Sequence, residues 1–272
     1  MKLNLEFLEE MAEKVKSEIE PLVGKTEAAK IVGIGAGGDK TRYVDIVAEK
    51  TVLKVLKDKG ISCVVVSEEK GVTEVLGGNP NLFFIVDALD GTNNALHKIP
   101  FYAFSVAVAT KPKLSAIQMG VVADLTVQDK KIFSAEKGLG AWLNGKPIKP
   151  SQTRKVEEAL ITVNLSPNKE LIERIWGLLG KIHHLRLFGS NALEVCYVAS
   201  GRLDAHVDLR KKLRVTDLAA SYLVLKEAGG LIVDENGAEF DSLADKPTRH
   251  VSFIAAGNRE LLTEILTLIK KM

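Results

Sequence analysis

Leu82-Phe83-Phe84-Ile85-Val86-Asp87-Ala88-Leu89-Asp90-Gly91-Thr92 is the stretch that decides the fold. Its five apolar residues read as a strand, and the strand ends at a carboxylate. Asp87 and Asp90 stand three residues apart at that C-terminal end. Gly91 makes a turn inexpensive there, so the two acids can converge on one point. Two anions held that close call for a cation, and hard carboxylate and carbonyl oxygens suit Mg²⁺ better than zinc. The plainer alternative is an Asx turn, since D-x-x-D-G is common at strand exits.

Three further acids bear on that choice. The run Ile61 to Val66 reads as a second strand ending at Ser67-Glu68-Glu69, and pairing of the two strands would set Glu68 beside Asp87. Alternatively, Glu68 is a first-turn helix acid behind a Ser67 cap. Tyr43 to Lys59 reads as a helix in which about 100° per residue places Asp45 between Val52 and Leu56, on the side that holds Val44, Ala48 and Val55. The helix dipole accounts for its place along the helix but not for its face. Asp217 opens a helix reaching Ala228, and its plainer role is an N-terminal acid behind Thr216. Arg202, Arg210, Lys211, Lys212 and Arg214 crowd the approach to Asp217, and Arg186 precedes Gly189-Ser190. Arginine forks suit phosphate or carboxylate groups, against which stands a solvated charged loop.

Further out, Leu5, Leu8, Met11, Ala12, Val15 and Ile19 give the N-terminal segment, Met1 to Leu22, the spacing of an amphipathic helix. From Phe104 to Ile148 alternating segments and Asn144-Gly145 predict an antiparallel meander. Pro147, Pro150 and the polar stretch Ser151 to Lys155 mark a boundary, dividing the chain into domains 1–153 and 154–272. The second half reads as strand (Ala159 to Val163), helix (Lys169 to Leu179), strand (His184 to Phe188), helix (Ala192 to Ala199), strand (Ala205 to Asp208), helix (Asp217 to Ala228), strand (Leu231 to Val233) and a last helix from Arg259. The expected class is α/β (α+β), with sheets covered by helices.

Length and composition agree with a folded enzyme-sized chain: 272 residues, 46% hydrophobic and 26% charged, which excludes disordered, collagen-like and coiled-coil classes. A formal net charge of +2 gives no general attraction to nucleic acid or to an anionic membrane. Cys63 and Cys196 each lie in an apolar run and read as buried thiols. Acids within the N-terminal pattern speak against a signal peptide, no run approaches the ~20 apolar residues of a membrane span, and the cytoplasm is the expected compartment.

Other chemistries find less support. Gly33-Ile34-Gly35-Ala36-Gly37-Gly38 satisfies the G-x-G-x-x-G spacing, but only Ile31 and Val32 are apolar before it and the helix starts late. A mobile active-site lid is the expectation here. His97, His183, His184, His206 and His250 show no zinc spacing, and Ser190 lacks a nucleophile elbow.

Taken together, Ser67-Glu68-Glu69, Asp87-Ala88-Leu89-Asp90-Gly91-Thr92 and Thr216-Asp217-Leu218-Ala219-Ala220 resemble the Mg²⁺-dependent, lithium-sensitive phosphomonoesterases that include inositol monophosphatase and fructose-1,6-bisphosphatase, and the archaeal type acting on both substrates above all. Val44-Asp45-Ile46-Val47-Ala48-Glu49, Gly138 to Gly145, Gly189 to Glu194 and Gly201 to Ala205 extend the likeness over nearly the whole chain. The resemblance implies a five-layer α/β/α/β/α sandwich with the site between its halves. It implies metal ligands at Glu68, Asp87, the Leu89 carbonyl, Asp90 and Asp217, with Asp45 beside them, for two or three Mg²⁺ or substituting Mn²⁺. Glu68 and Thr92 would position and deprotonate the attacking water. Gly91, Thr92, Asn93, Arg186, Asn191 and Arg214 fall where such enzymes contact substrate. The expected partner is a small phosphate ester, fructose 1,6-bisphosphate or inositol 1-phosphate, in a homodimer. Ala88 and Thr216 depart from the family's usual Pro and aromatic. An NADP or nucleoside bisphosphate phosphatase remains as an alternative, as does a non-catalytic phosphate or dinucleotide sensor.

Overall fold

The computed structural model describes residues 3–126 and 130–269. The start of the predicted first segment, Met1, lies outside them. In the first half, helix α1 (Leu5–Ile19) is followed by the hairpin β1 (Ile31–Ile34) and β2 (Lys40–Arg42), helix α2 (Tyr43–Asp58), strands β3 (Cys63–Ser67), β4 (Gly71–Val75) and β5 (Phe83–Asp90), and a short helix α3 (Thr92–Leu96). The predicted meander follows as β6 (Ala103–Ala109), β7 (Ile117–Asp124), β8 (Ile132–Glu136), β9 (Gly140–Leu143) and β10 (Lys146–Pro147). In the second half come β11 (Leu160–Asn164), α4 (Lys169–Leu179), β12 (His184–Arg186), α5 (Asn191–Ala199), β13 (Ala205–Arg214), α6 (Val215–Glu227), β14 (Leu231–Val233), β15 (His250–Ala256) and α7 (Arg259–Leu268).

An eight-stranded sheet runs in the order β10-β9-β8-β7-β6-β5-β3-β4, and a five-stranded sheet in the order β12-β11-β13-β15-β14. In the larger sheet β3 and β5 are parallel, and it is this pairing that sets two acid-terminated strands side by side. Side-chain alternation assigns each sheet two apolar faces. On β5, Phe84 and Val86 join Met11, Val15, Val52 and Leu56 of α1 and α2, while Ile85 faces the other way, toward Leu193, Leu218 and Phe253. On the second sheet, Ile161, Val163 and Val207 pack on Leu171, Ile175, Leu261 and Ile265 of α4 and α7. The layers are therefore α1/α2, large sheet, α5/α6, small sheet and α4/α7, the expected five-layer sandwich. Cys63 and Cys196 are both free and buried. Among the described residues no helix is long and apolar enough to cross a membrane.

Candidate active site

The ladder between β5 and β6 shifts register between Asp87 and Asp90, which still pair with Ser105 and Ala103, so the strand is irregular between its two acids. Gly91 follows at φ +94°, where a Cβ would also come 3.1 Å from the Phe101 carbonyl. The turn into α3 thus requires glycine on both counts. Asp87 accepts the Leu89 N–H at 3.1 Å. Asp90 Oδ2 accepts from the Ser190 hydroxyl at 2.6 Å and the Ala192 N–H at 2.7 Å, binding the end of β5 to the start of α5. Ser67 stands opposite Val86, so the next residues along the two strands, Glu68 and Asp87, are neighbours. Asp217, in the first turn of α6, accepts the Arg214 N–H at 3.3 Å and the Thr216 hydroxyl at 2.9 Å. One carboxylate oxygen each from Glu68, Asp87 and Asp217 lies within 4.8 Å of the others.

Burial pushes every one of these carboxyls up, and mutual repulsion adds to it. Glu68 and Asp87 are held well above the ordinary carboxylate range, first by burial and then by the Asp217 charge. Asp90 is pushed up to about 7 and Asp45 to about 6, both chiefly by burial. Asp217 is raised by burial against the pull of Arg214. Buried acids that repel one another and offer only hard oxygens fit a divalent cation such as Mg²⁺. A guanidinium meets the cluster, Arg214 Nη1 at 2.9 Å from Glu68 Oε1.

A pH dependence follows for the metal-free protein. A carboxyl whose folded pKa is raised destabilises the fold above that pKa, and the penalty is relieved as pH falls toward the unfolded value. Asp90 and Asp45 set the window, from about 7 and about 6 down to about 4. His206 opposes them: burial pulls it down to about 4, so the unfolded chain gains its proton first and stability is lost on the way down. The raised acids outnumber this one histidine. In EDTA the thermal midpoint should therefore be higher near about pH 5.5 than near about pH 7.5, and saturating Mg²⁺ should restore the higher-pH midpoint by several degrees. A pH-independent midpoint in EDTA would contradict the close packing of the acids.

Glu68, Asp87, Leu89, Asp90, Gly91, Thr92, Asn93, Asn191, Arg214 and Asp217, all singled out in the sequence, line one cleft of about 290 Å³. That is close to the lower bound for small-ligand sites. Asp45 reaches it through Thr92, whose hydroxyl donates to Asp45 Oδ1 at 2.8 Å and lies 3.1 Å from the Leu89 carbonyl. Arg186 stands apart. It is exposed on the edge strand β12, and its guanidinium bonds the adjacent Leu185 carbonyl. The cleft instead receives Asn164, Leu165, Leu187 and Arg210. Arg210 belongs to the basic stretch noted in the sequence. The signal that would have selected it is its alternation with His206 and Asp208 along one face of β13.

The glycine-rich stretch is the turn of the β1–β2 hairpin rather than a strand-to-helix turn. Four consecutive peptide donors of the turn are taken: Gly35 N–H by Asp39 O, Ala36 N–H by Glu69 O, Gly37 N–H by Glu68 O and Gly38 N–H by Gly35 O, each at 2.9 Å. None of these four turn donors is left for a pyrophosphate. Arg214 lies on Gly37, where a Cβ would approach Nε to 2.6 Å, and its guanidinium bridges Glu68 and Asp39. Gly37→Val should displace Arg214, lower kcat/KM by about tenfold (about 1.4 kcal/mol) and speed proteolysis within the hairpin. Unchanged rates on both measures would remove Arg214 as the clasp of this loop.

A model of the inositol monophosphatase family matches residues 3–271. The chain belongs to that family. Among its inositol monophosphatase relatives, the fructose-1,6-bisphosphatase/inositol-1-monophosphatase of Methanothermobacter thermautotrophicus is 40% identical over 264 residues, 94% of this chain and 92% of that protein. The fructose-1,6-bisphosphatase of Pyrococcus furiosus is 35% identical over 272 residues, 98% of this chain and 100% of that protein. A solved inositol monophosphatase-fructose 1,6 bisphosphatase superposes with a TM-score of 0.86 at 34% identity, covering 99% of this chain and 100% of that one. The chain is a phosphoric monoester hydrolase of a metal-dependent family, and its acidic cluster is a fitting metal centre.

Proposed function

We propose that the protein hydrolyses sugar and polyol phosphate monoesters, fructose 1,6-bisphosphate and inositol 1-phosphate among them, with Mg²⁺ as its metal. The observation that carries this reading is the gathering of Glu68, Asp87 and Asp217 oxygens within 4.8 Å in a cleft that also presents Arg210 and Asn191. Glu68, Asp87 and Asp217, with Asp90 and the Leu89 carbonyl of the same cleft, would hold Mg²⁺, which would supply the positive charge that a phosphate dianion and its leaving alkoxide require. Thr92 directs its proton to Asp45, leaving oxygen lone pairs to orient an attacking water, and Glu68 is the adjacent base. No side chain of this set has to form a phosphoenzyme. Residues 1–153 would supply most of the metal ligands, and residues 154–272 Asp217 and the groups that meet the alcohol. A cytoplasmic homodimer completes the reading on the family likeness alone, and sedimentation tests its stoichiometry.

Arg210 is the group placed for a second anion. Its Nε and Nη2 hold Asp208, at 3.0 and 2.6 Å, which leaves Nη1 for substrate. A charge-assisted contact of this kind is worth roughly 1.5 to 3 kcal/mol. Arg210→Ala should therefore raise KM for fructose 1,6-bisphosphate about ten- to a hundredfold more than for inositol 1-phosphate, with kcat little moved. Equal effects on both esters would remove it as the anion contact. Phosphate release from fructose 1,6-bisphosphate, inositol 1-phosphate, NADP and a nucleoside bisphosphate, in Mg²⁺ and in EDTA, tests the whole reading. Release from the first two in Mg²⁺ alone is expected, and release undiminished by EDTA would defeat the metal-assisted mechanism.

A further inference from the structure

Behind the cleft lies a buried polar ladder of which the hydrolysis proposed above uses only Asp208, as the partner of Arg210. β11 and β13 run parallel, with Thr162 opposite His206 and Asn164 opposite Asp208. Alternation sends Ile161, Val163, Ala205 and Val207 into the outer apolar core, so these four polar side chains share the other face, toward α5. Thr162, His206 and Asp208 are each 0% exposed.

Donor and acceptor roles can be read along the ladder because one member is fixed. Asp208, gripped by Arg210, only accepts. Asn164 therefore turns its Nδ2 toward Asp208, at 3.1 Å, and gives its other amide proton to Asn191 Oδ1 at 2.7 Å. His206 Nε2 lies 3.0 Å from the same Oδ1, so Nε2 carries the ring proton and Nδ1 accepts from the Thr162 hydroxyl at 2.7 Å. Burial keeps the ring neutral, pulling His206 down to about 4. Glu194, 4.0 Å from Nδ1, is pushed up to about 8 by burial and adds no charge near neutrality. Both lone pairs of Asn191 Oδ1 are thus occupied from behind. Among the described residues Nδ2 has no protein partner, and it is the half of the amide left to the cleft that Asn191 lines.

We propose that His206 is a positioning residue that locks the Asn191 amide as a donor toward substrate, so that the site selects esters carrying an oxygen acceptor beside the leaving group. Without the His206 donor the amide would be held from behind by Asn164 alone, and the preference for presenting Nδ2 to the cleft would weaken. The inference rests on the phosphatase reading. It deepens that reading by naming what the alcohol must supply: a hydroxyl or an anionic oxygen next to the ester. Aryl esters lacking one gain nothing from Asn191.

The test compares fructose 1,6-bisphosphate with phenyl phosphate, both with the full chain in saturating Mg²⁺. Asn191→Asp keeps an acceptor for His206 and Asn164 but replaces the outward donor with an acceptor. His206→Phe removes the rear donor at similar volume. Each should raise the ratio of the KM for the bisphosphate to that for phenyl phosphate by about tenfold, His206→Gln should recover part of the loss, and the double variant should move the ratio no further than Asn191→Asp alone. An unmoved ratio in Asn191→Asp overturns the inference even if His206→Phe fails to fold. Additive effects of the two substitutions overturn the role of His206. The unsubstituted protein separates the two levels: no Mg²⁺-dependent release from either ester defeats the phosphatase reading and this inference with it, whereas release with an unmoved ratio defeats this inference alone.

Discussion

Asp87→Asn is expected to lower kcat/KM by about a thousandfold or more while raising the thermal midpoint of the metal-free protein. The two effects have one cause. Asp87 is 4% exposed and its charge is opposed, after burial itself, by Asp217, Asp90 and Glu68. An amide has the same shape and keeps the bond from the Leu89 N–H, so the end of β5 stays in place. It withdraws one negative charge from the cluster, which relieves repulsion in the empty fold and weakens the hold on a divalent cation. Removing a single neutral donor from a transition-state site costs about 10² to 10³ in rate. Losing a charged metal ligand belongs at or beyond the top of that range. Steady-state kinetics over a Mg²⁺ titration, with calorimetric melting in EDTA, measure both signs. A variant with full activity, or one whose EDTA midpoint falls, would contradict an acid cluster strained by its own charge.

Why some of this was legible in the sequence and some was not follows from where each residue sits on its element. Asp87, Asp90 and Glu68 end apolar strands, and the parallel pairing of β3 with β5 does the rest. Asp45 and Asp217 have respectable plainer explanations as helix N-terminal acids, and the structure bears those out beside the proposed functional ones. Each is the third residue of its helix and accepts the backbone N–H of the preceding cap residue, Arg42 at 3.0 Å and Arg214 at 3.3 Å. One oxygen caps the helix, and the other accepts a hydroxyl, that of Thr92 on Asp45 and that of Thr216 on Asp217. Helix α6 accordingly starts at Val215, two residues before the position that the sequence marks.

Arg210 was hidden because Arg210-Lys211-Lys212 reads as a solvated loop after a strand ending at Asp208. The strand in fact continues to Arg214 through an irregularity, with Lys211 at φ +55° and a register shift between Asp208 and Leu213. Arg186 drew attention by its nearness to Gly189-Ser190 in the chain, and nearness in sequence says nothing about which way an edge strand faces. The polar ladder of Thr162, Asn164, His206 and Asp208 was written in two strands that alternate apolar and polar residues. Ordinarily that pattern means a half-exposed sheet. Only the covering helix α5 turns it into a buried network.

Thr92→Ala is expected to lower kcat by about 10² to 10⁴, the range of general acid–base catalysis, with KM and Mg²⁺ affinity little changed. A hydroxyl has one proton, and Thr92 has two acceptors within reach, Asp45 Oδ1 at 2.8 Å and the Leu89 carbonyl at 3.1 Å. Whichever takes it, the remaining lone pairs of Oγ1 are free to accept a hydrogen bond from water in the cleft, and with Asp45 as the partner Thr92 can also pass a proton on. Asp45 is the better terminus because burial lifts it to about 6, which brings its proton affinity closer to that of the groups it must relay from. Its other oxygen is held by the Arg42 N–H, so the carboxylate cannot swing away. Asp45→Asn should therefore give a kcat loss of the same order, and, on the proposed relay, the double variant should lose little more than either single one. Thr92→Ser keeps the hydroxyl and should retain most of the rate. If the losses of Thr92→Ala and Asp45→Asn instead multiply, the two residues act on separate steps, and if Thr92→Ala leaves kcat unchanged, the attacking water is oriented by Glu68 without it.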